Sequence, residues 1–263
     1  MRLLARACHP EPTVAVTAVT ALLAVHAGHP AGTGFLVTSA VFTGQLSIGW
    51  SNDLIDVGRD HLVHRVDKPL ATGELAASTV RVALAVALVA CVVLSLLCGL
   101  RSGLTHLVLG VGSGWAYNLG LKRTAWSWLP YAVAFGSLPA VVSLALSPPR
   151  LPPVWLMVAG AMLGIGAHLV NALPDFADDE ATGIRGLPHI LGRRASQHVA
   201  TAVLVVASVV AFLGPRTRPP AWCWAGLLVV VALAAFGLRS SGRLAFHATV
   251  AIAAVDVVML TAR

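Results

Sequence analysis

Charged side chains are scarce in this sequence. Asp, Glu, Lys and Arg make up only 11% of its 263 residues, whereas 57% of the residues are hydrophobic. Soluble domains carry roughly 25% charged residues, so this composition excludes an ordinary water-soluble globular protein. It also excludes an intrinsically disordered chain, because such chains have too little apolar surface to fold. A polytopic membrane protein is the class that remains.

Cysteine is also rare, and its spacing excludes two kinds of site. The cysteines are Cys8, Cys91, Cys98 and Cys223, and they form neither a CxxC pair nor a Cys/His ligand pattern. A disulfide scaffold or a zinc site is therefore not expected. The net charge is +7. In so apolar a chain, we interpret this charge as cytoplasmic loops that face anionic lipid, and we expect no nucleic-acid partner.

Long apolar runs are what the sequence has instead of charge. A helix needs about 20 apolar residues to cross the hydrocarbon core of a bilayer. Apolar stretches of about that length cover residues 13–28, 33–50, 80–100, 104–119, 128–147, 151–172, 198–214, 221–238 and 244–261. The sequence therefore predicts an all-α, integral membrane protein with about nine transmembrane helices in a single domain, 1–263.

Lysine and arginine are unevenly distributed between the predicted loops. If the N-terminus is cytoplasmic, the inner loops hold Arg2, Arg6, Arg59, Arg65, Lys68, Arg81, Lys122, Arg123, Arg185, Arg193, Arg194, Arg239 and Arg243. The outer loops then hold only Arg101, Arg150, Arg216, Arg218 and Arg263. Because cytoplasmic loops carry the excess of positive charge, we expect the N-terminus inside. Nine spans then place the C-terminus outside.

Acidic residues are fewer still, and all but two of the eleven fall in two clusters. Five lie between residues 53 and 74 and four between 175 and 180, both on the predicted cytoplasmic side. Asp256 lies inside the last apolar stretch, where an acid is costly unless it has a partner. His247 is on the opposite helix face, so we expect the partner of Asp256 on another helix.

The first cluster has the spacing of one helix face. Asp53, Asp56 and Asp60 follow i, i+3, i+7, so a helix that continues from the second apolar stretch places their carboxylates together, with Asn52 at the border. Like charges at this spacing repel, so a cation is expected between them. Oxygen ligands without His or Cys suit Mg²⁺.

The second cluster repeats the pattern in a shorter form. Asp175 and Asp179 are one helical turn apart, and Asn171 is one turn further back. Mg²⁺ binds one or two carboxylates and completes its shell with water and substrate phosphate. If the two clusters face each other, they would hold a diphosphate between bridging Mg²⁺ ions.

Basic residues accompany the acids. Arg65 and Lys68 follow the first cluster, and Lys122 and Arg123 follow the fourth apolar stretch. Such cations can clamp phosphate oxygens. For any one of these four cations, contact with lipid headgroups explains its presence as well as phosphate binding does.

Together these motifs resemble those of the UbiA superfamily of intramembrane prenyltransferases, which includes the 4-hydroxybenzoate polyprenyltransferase-like enzymes. The residues that carry the resemblance are Asn52, Asp53, Asp56, Asp60, Arg65, Lys68, Pro69, Leu70, Gly73, Tyr117, Lys122, Arg123, Thr124, Asp175, Asp179, Gly183, Pro188, Leu191 and Gly192. The chain departs from the family pattern at Lys68, where Arg is usual, and at Gly186, where Thr is common.

The resemblance implies a helical bundle with a central cavity open to the cytoplasmic side and motif loops at about 52–79 and 171–197. It implies a prenyltransferase that uses Mg²⁺, an isoprenyl diphosphate and a small acceptor, for which an aromatic compound is favoured. The implied metal ligands are Asp53, Asp56, Asp60, Asp175 and Asp179. The implied catalytic residues are Asp53, Asp56, Asp175, Asp179 and Lys122. The implied diphosphate-binding residues are Asn52, Arg65, Lys68, Arg123, Asn171 and Tyr117.

Three other interpretations stay open. A terpene cyclase on the same scaffold would capture the prenyl cation with the substrate's own double bonds. A phosphosugar transferase would act on a polyprenyl phosphate. A cation carrier or a non-catalytic lipid-binding protein belongs to a different class, and it does not need the bases beside the acids.

Overall fold

Helices form all the regular structure in the part of the chain that the computed structural model describes, which is residues 2–215, 218–240 and 243–261. The α-helices are α1 (Arg2–Ala7), α2 (Pro10–His26), α3 (Ala31–Leu62), α4 (Ala77–Leu97), α5 (Leu100–Thr105), α6 (Gly112–Leu119), α7 (Leu129–Leu144), α8 (Val154–Asn171), α9 (Phe176–Ala181), α10 (Leu187–Leu191), α11 (Arg193–Leu213), α12 (Ala221–Arg239) and α13 (Arg243–Thr261). A π-helical turn, His106–Val111, joins α5 to α6, and a 3₁₀ turn, Leu121–Arg123, follows α6. The predicted all-α class is confirmed.

The predicted apolar stretches coincide with helical backbone. Helices α4, α8, α11 and α12 are each long and apolar enough to cross a membrane by length and composition. Helix α7 and the segment Leu244–Met259 are shorter apolar helices. The count of nine spans, their orientation and the central cavity stay predictions. Arg216 and Arg263, two of the five cations assigned to the outside, lie outside the described residues.

Internal packing divides the chain into two compact units. The first unit comprises Met1–Gly120 and Ala140–Leu151, and the second comprises Leu121–Pro139 and Pro152–Arg263. Each unit contains one of the acidic clusters. The prediction of a single domain over 1–263 stays a prediction.

The first unit is organised around α3, which packs against α2, α4 and α6. This helix is 32 residues long and runs to Leu62, well past the end of its apolar stretch at residue 50. At Gly49 the junction of α1 and α2 lies so close that an added Cβ would collide with the carbonyl of Cys8. Buried Ala7, Leu70 and Val80 form a small core, which joins α1 to α4 and to the loop after α3.

The second unit has an apolar core formed by α8, α11, α12 and α13. Leu163 on α8, Leu204 on α11 and Ile252 on α13 are among its buried residues. Within this unit Ser208 on α11 donates a hydrogen bond to the carboxylate of Asp256, which is fully buried. The prediction that Asp256 finds its partner on another helix is therefore confirmed.

Candidate functional site

The acids of the first cluster lie on one buried face of α3. The helix continues without a break through the motif, and Asp53, Asp56 and Asp60 are 1%, 2% and 2% exposed. The predicted shared face is therefore confirmed. Carboxylates that are buried together need cations or hydrogen-bond donors close by, because removing each charge from water costs several kcal/mol.

Arg59 is the cation beside two of these acids. Its Nη2 lies 3.2 Å from Asp56 Oδ2 and 3.2 Å from Asp60 Oδ1. Burial raises the pKa of Asp60, and the charge of Arg59 opposes that rise. From the sequence alone, Arg59 was interpreted only as a topology signal. Arg59 lies within the motif, three residues after Asp56 and directly before Asp60. This position could have indicated that it belongs to the site.

A different pair of residues lies beside Asp53. Lys68 Nζ lies 2.6 Å from Asp53 Oδ1, and His9 Nε2 lies 3.1 Å from the same oxygen. The other oxygen, Oδ2, is buried and has no hydrogen-bond partner. His9 was missed by the sequence analysis, because no spacing rule connects a residue before α2 with a motif on α3.

Two asparagines connect the first cluster to α6. Asn52 Nδ2 donates to Asp56 Oδ2 at 3.0 Å and to Asn118 Oδ1 at 3.2 Å. Asn118 is buried, and its Nδ2 donates to the carbonyl of Ile48 at 2.9 Å. Asn118 was not predicted, although it directly follows Tyr117, which is half-buried on α6. The amide of Asn52 therefore orients the Asp56 carboxylate.

Arg65 makes a bidentate pair within its own loop. Its Nε and Nη2 each lie 2.8 Å from a carboxylate oxygen of Asp67. These hydrogen bonds lower the pKa of Asp67 to about 2. The pair fixes the guanidinium next to the segment that ends in Lys68. A role for Arg65 in diphosphate binding stays a prediction.

The second cluster lies on two helices rather than one. Helix α8 ends at Asn171, and α9 begins at Phe176 with Asp175 as the residue before it. Pro174 lacks the N–H that a continuing helix requires. Asp175 and Asp179 remain one turn apart, since Asp179 N donates to Asp175 O at 2.9 Å. Asn171 is exposed, and its side chain is hydrogen-bonded to Tyr131.

An unpredicted histidine lies beside the second cluster. His189 Nε2 is 4.0 Å from Asp179 Oδ2, and the imidazole stacks on Phe176 with ring centroids 4.4 Å apart. A cavity of about 200 Å³ is lined by Glu180, Arg185, His189 and Ile190. No motif position predicted His189, although it directly follows Pro188, one of the residues that carry the family resemblance.

Lys122 lies in the 3₁₀ turn at the start of the second unit. It is 5% exposed, whereas the neighbouring Arg123 is exposed. The backbone here lies against Gly186, where an added Cβ would be 2.7 Å from Lys122 O and 2.8 Å from Ser127 Oγ. Ser127 Oγ also accepts from Leu187 N at 2.9 Å. The close approach leaves little room for a side chain at Gly186, the position where the family resemblance implies Thr.

Substitution of Gly186 by Ala is expected to disturb the Lys122 turn. Gly186 has φ −74°, so only the steric contact opposes a side chain there. We expect a destabilisation of about 1–3 kcal/mol. Thermal unfolding in detergent measures this effect. Gly32→Ala, which adds a methyl group where nothing lies within 4 Å, is the matched control, and equal effects of the two substitutions would contradict the steric argument.

The donor set of the first unit fits Mg²⁺. Among the described residues, no three or more His, Cys, Asp or Glu side chains form a ready-made metal cluster. Mg²⁺ does not require one, because it binds through one or two carboxylates and keeps water and phosphate as its other ligands. Asp53 Oδ2 is a buried carboxylate oxygen without a donor. A cation or its bound water would supply what this oxygen lacks.

The sequence matches one protein family over most of its length. A model of the UbiA prenyltransferase family matches residues 13–253. The chain is also similar to the bacteriochlorophyll synthase 33 kDa chain of Cereibacter sphaeroides, with 29% identity over 176 residues. That match spans 63% of this chain and only 55% of the relative.

Solved structures show the same fold. A UbiA homologue from Archaeoglobus fulgidus bound to GPP and Mg²⁺ aligns with a TM-score of 0.71, 15% identity and coverage of 99% of this chain and 98% of the homologue. The apo structure of a UbiA homologue from Aeropyrum pernix K1 aligns with a TM-score of 0.74, 17% identity and coverage of 94% and 95%. At these identities the similarity shows a shared fold.

Proposed function

Because the chain belongs to the UbiA prenyltransferase family, we propose that it is a membrane-embedded, Mg²⁺-dependent prenyltransferase. Its donor is an isoprenyl diphosphate and its acceptor is a small molecule, with an aromatic compound favoured. The observation that carries this proposal is the buried array of Asp53, Asp56 and Asp60 on α3, in which Asp53 Oδ2 has no hydrogen-bond partner.

The reaction breaks the bond between prenyl C1 and the diphosphate oxygen. The electron pair of that bond leaves with the diphosphate, and an allylic cation remains on the prenyl chain. A nucleophilic carbon or oxygen of the acceptor then bonds to C1, and the acceptor loses one proton. Bound Mg²⁺ supplies Lewis-acid neutralisation of the diphosphate as its negative charge grows.

In the first unit, we assign Asp53 and Asp56 as metal ligands. Asn52 fixes the orientation of the Asp56 carboxylate through a 3.0 Å hydrogen bond. Arg59 holds Asp56 and Asp60 together and offsets part of their repulsion. Asp60 is the carboxylate nearest the end of α3, and we propose that it supports the metal site.

Lys68 has two tasks in this proposal. Its ammonium is paired with Asp53 at 2.6 Å. A metal ion at Asp53 would compete for that carboxylate, and Lys68 could then donate to a phosphate oxygen instead. Arg65 lies three residues before it, and we propose that Arg65 acts on the same diphosphate group.

In the second unit, we assign Asp175 and Asp179 as metal ligands and Lys122 as the cation that stabilises the developing negative charge. The diphosphate-binding assignments of Asn171, Arg123 and, in the first unit, Tyr117 rest on the motif resemblance. Asp179 has the buried side chain of His189 beside it, which limits the water around that carboxylate.

The acceptor is identified by product analysis. Detergent-purified protein is given geranyl, farnesyl or geranylgeranyl diphosphate with Mg²⁺, with and without a panel of phenolic and carboxylate acceptors. Diphosphate release and the mass of the organic product are measured together. We expect release that depends on an acceptor and a product mass equal to acceptor plus prenyl group minus one proton.

Other results would replace this proposal by a specific alternative. Release without an acceptor, with a cyclic hydrocarbon or alcohol as product, would identify a terpene cyclase. Transfer of a phosphosugar to a polyprenyl phosphate, without any prenyl transfer, would identify the phosphosugar reaction. Tight binding of the diphosphate without its release would identify a non-catalytic lipid-binding protein.

A further inference from the structure

His9 lies at the first acidic motif although it is far from the motif in sequence. Its Nε2 is 2.8 Å from Lys68 Nζ, 3.1 Å from Asp53 Oδ1 and 3.1 Å from Asn52 Oδ1. One imidazole nitrogen therefore lies within hydrogen-bond distance of three residues that the proposed function places at the first metal and diphosphate site. Nothing in the motif pattern assigns a role to His9.

The backbone at His9 adopts a conformation that non-glycine residues rarely use. Its φ is 55° and its ψ is 73°, which is the left-handed region. Such a conformation costs free energy and persists only where the surrounding structure determines it. Here it turns the chain between α1 and α2.

Helix α1 is fastened to the same part of the first unit. Trp50 Nε1 donates to the carbonyl of Leu4 at 3.0 Å, and Arg6 Nη2 donates to the carbonyl of Asp67 at 3.1 Å. Ala7 is fully buried in the small core of this unit. The contacts of α1 therefore fix the chain just before His9. They also tie α1 to the loop that carries Lys68.

The chemistry of lysine explains why a second acceptor is useful here. Arginine presents a rigid fork that binds two oxygens at once, whereas lysine has a point charge on a flexible four-carbon stem. If a metal ion takes the Asp53 carboxylate, Lys68 loses its anionic partner in this structure. In the tautomer that carries its proton on Nδ1, His9 Nε2 can still accept a hydrogen bond from the ammonium and keep it at the motif.

We propose that His9 is a positioning residue, which holds Lys68 at the first acidic motif and so makes residues 2–9 part of the diphosphate site. This inference rests on the proposed function, since it adds a positioning residue to the same diphosphate site. His9 acts through Lys68, and its loss weakens the binding of diphosphate rather than the binding of the acceptor.

The test compares glycine substitutions at two histidines that share a positive φ. His9→Gly removes the imidazole and suits the positive φ. His64→Gly is the matched control, because His64 also has a positive φ, 54°, and its side chain is exposed. His9→Asn is the conservative variant, since asparagine tolerates this φ and keeps a hydrogen-bond acceptor.

The first measurement is diphosphate affinity. We expect His9→Gly to weaken the binding of inorganic pyrophosphate in the presence of Mg²⁺, and to raise the KM for the prenyl diphosphate, by about tenfold. We expect the KM for the acceptor to stay within about twofold, His64→Gly to match the wild type, and His9→Asn to fall between them. Wild-type pyrophosphate affinity in His9→Gly would overturn the inference.

The second measurement distinguishes two roles of His9: positioning of Lys68, and merely keeping α1 packed against the first unit. Cys8 is 5% exposed between α1 and α2, so its labelling by a maleimide, in protein where it is the sole cysteine, reports whether α1 has left its place. We expect the labelling rate in His9→Gly to match that of the wild type. Rapid labelling that accompanies the loss of affinity would show a merely structural role and overturn the inference.

Calorimetric titration with pyrophosphate also separates this inference from the proposed function. If the wild-type protein transfers no prenyl group, the proposed function fails, yet the effect of His9→Gly on pyrophosphate binding still decides the role of His9. If the wild type is active and His9→Gly binds pyrophosphate normally, only the inference about His9 fails.

Discussion

Asp53→Asn is expected to lower prenyl transfer by about a thousandfold, which corresponds to several kcal/mol of lost charge stabilisation. The substitution keeps the size of the side chain but removes the anionic oxygen that the structure leaves without a hydrogen-bond partner. Initial rates at saturating prenyl diphosphate and Mg²⁺ measure the effect. Size-exclusion chromatography and thermal unfolding in detergent check that the variant is folded.

Glu74→Gln is the matched control for this prediction. Glu74 belongs to the same acidic cluster as Asp53 but lies after α3, has a side chain that is 54% exposed, and is paired at 3.8 Å with Arg6. Neutralising an exposed acid of this kind is expected to change the rate by less than about threefold. Equal losses in Glu74→Gln and Asp53→Asn would indicate a general charge effect, and near-normal turnover in Asp53→Asn would remove Asp53 from the metal site.

The second large effect is expected in the other unit. Asp175→Asn and Asp179→Asn should each lower the rate by about a hundredfold to a thousandfold, because each removes a proposed metal ligand. Asp178→Asn is the matched control. It neutralises an acid on the same short helix, α9, to which the proposal gives no role, and we expect it to stay within about threefold of the wild type.

A double substitution tests whether the two acidic motifs serve one reaction. Residues that act as a unit show strongly non-additive losses, since removal of one member already disables the group. We therefore expect Asp53→Asn combined with Asp175→Asn to be little slower than the slower single variant. Losses that multiply would indicate that the two motifs contribute independently.

The sequence was most informative where one helix face carries the pattern. The i, i+3, i+7 spacing of Asp53, Asp56 and Asp60 needs only helical geometry, and the structure places all three on the buried face of α3. Apolar length likewise predicted where the helices lie. Both inferences depend on local periodicity, which a single sequence displays directly.

Contacts between distant segments could not be predicted in this way. His9 reaches Asp53 across 44 positions and Asn118 reaches Asn52 across 66, and neither contact leaves a periodic signal. The break between Asn171 and Asp175 could have been inferred from Pro174, since proline interrupts a helix. The close approach of Lys122 to Gly186 depends on packing of the second unit, which composition does not encode.

The most direct test of the central claim is the Mg²⁺ dependence of diphosphate release. Purified protein is stripped with a chelator, given a prenyl diphosphate and the acceptor found by product analysis, and titrated with Mg²⁺. The account predicts no release without the metal, full recovery on its addition, and recovery to no more than about a hundredth of the wild-type rate in Asp53→Asn or Asp175→Asn at any Mg²⁺ concentration. Release that survives chelation, or full recovery in either variant, would contradict it.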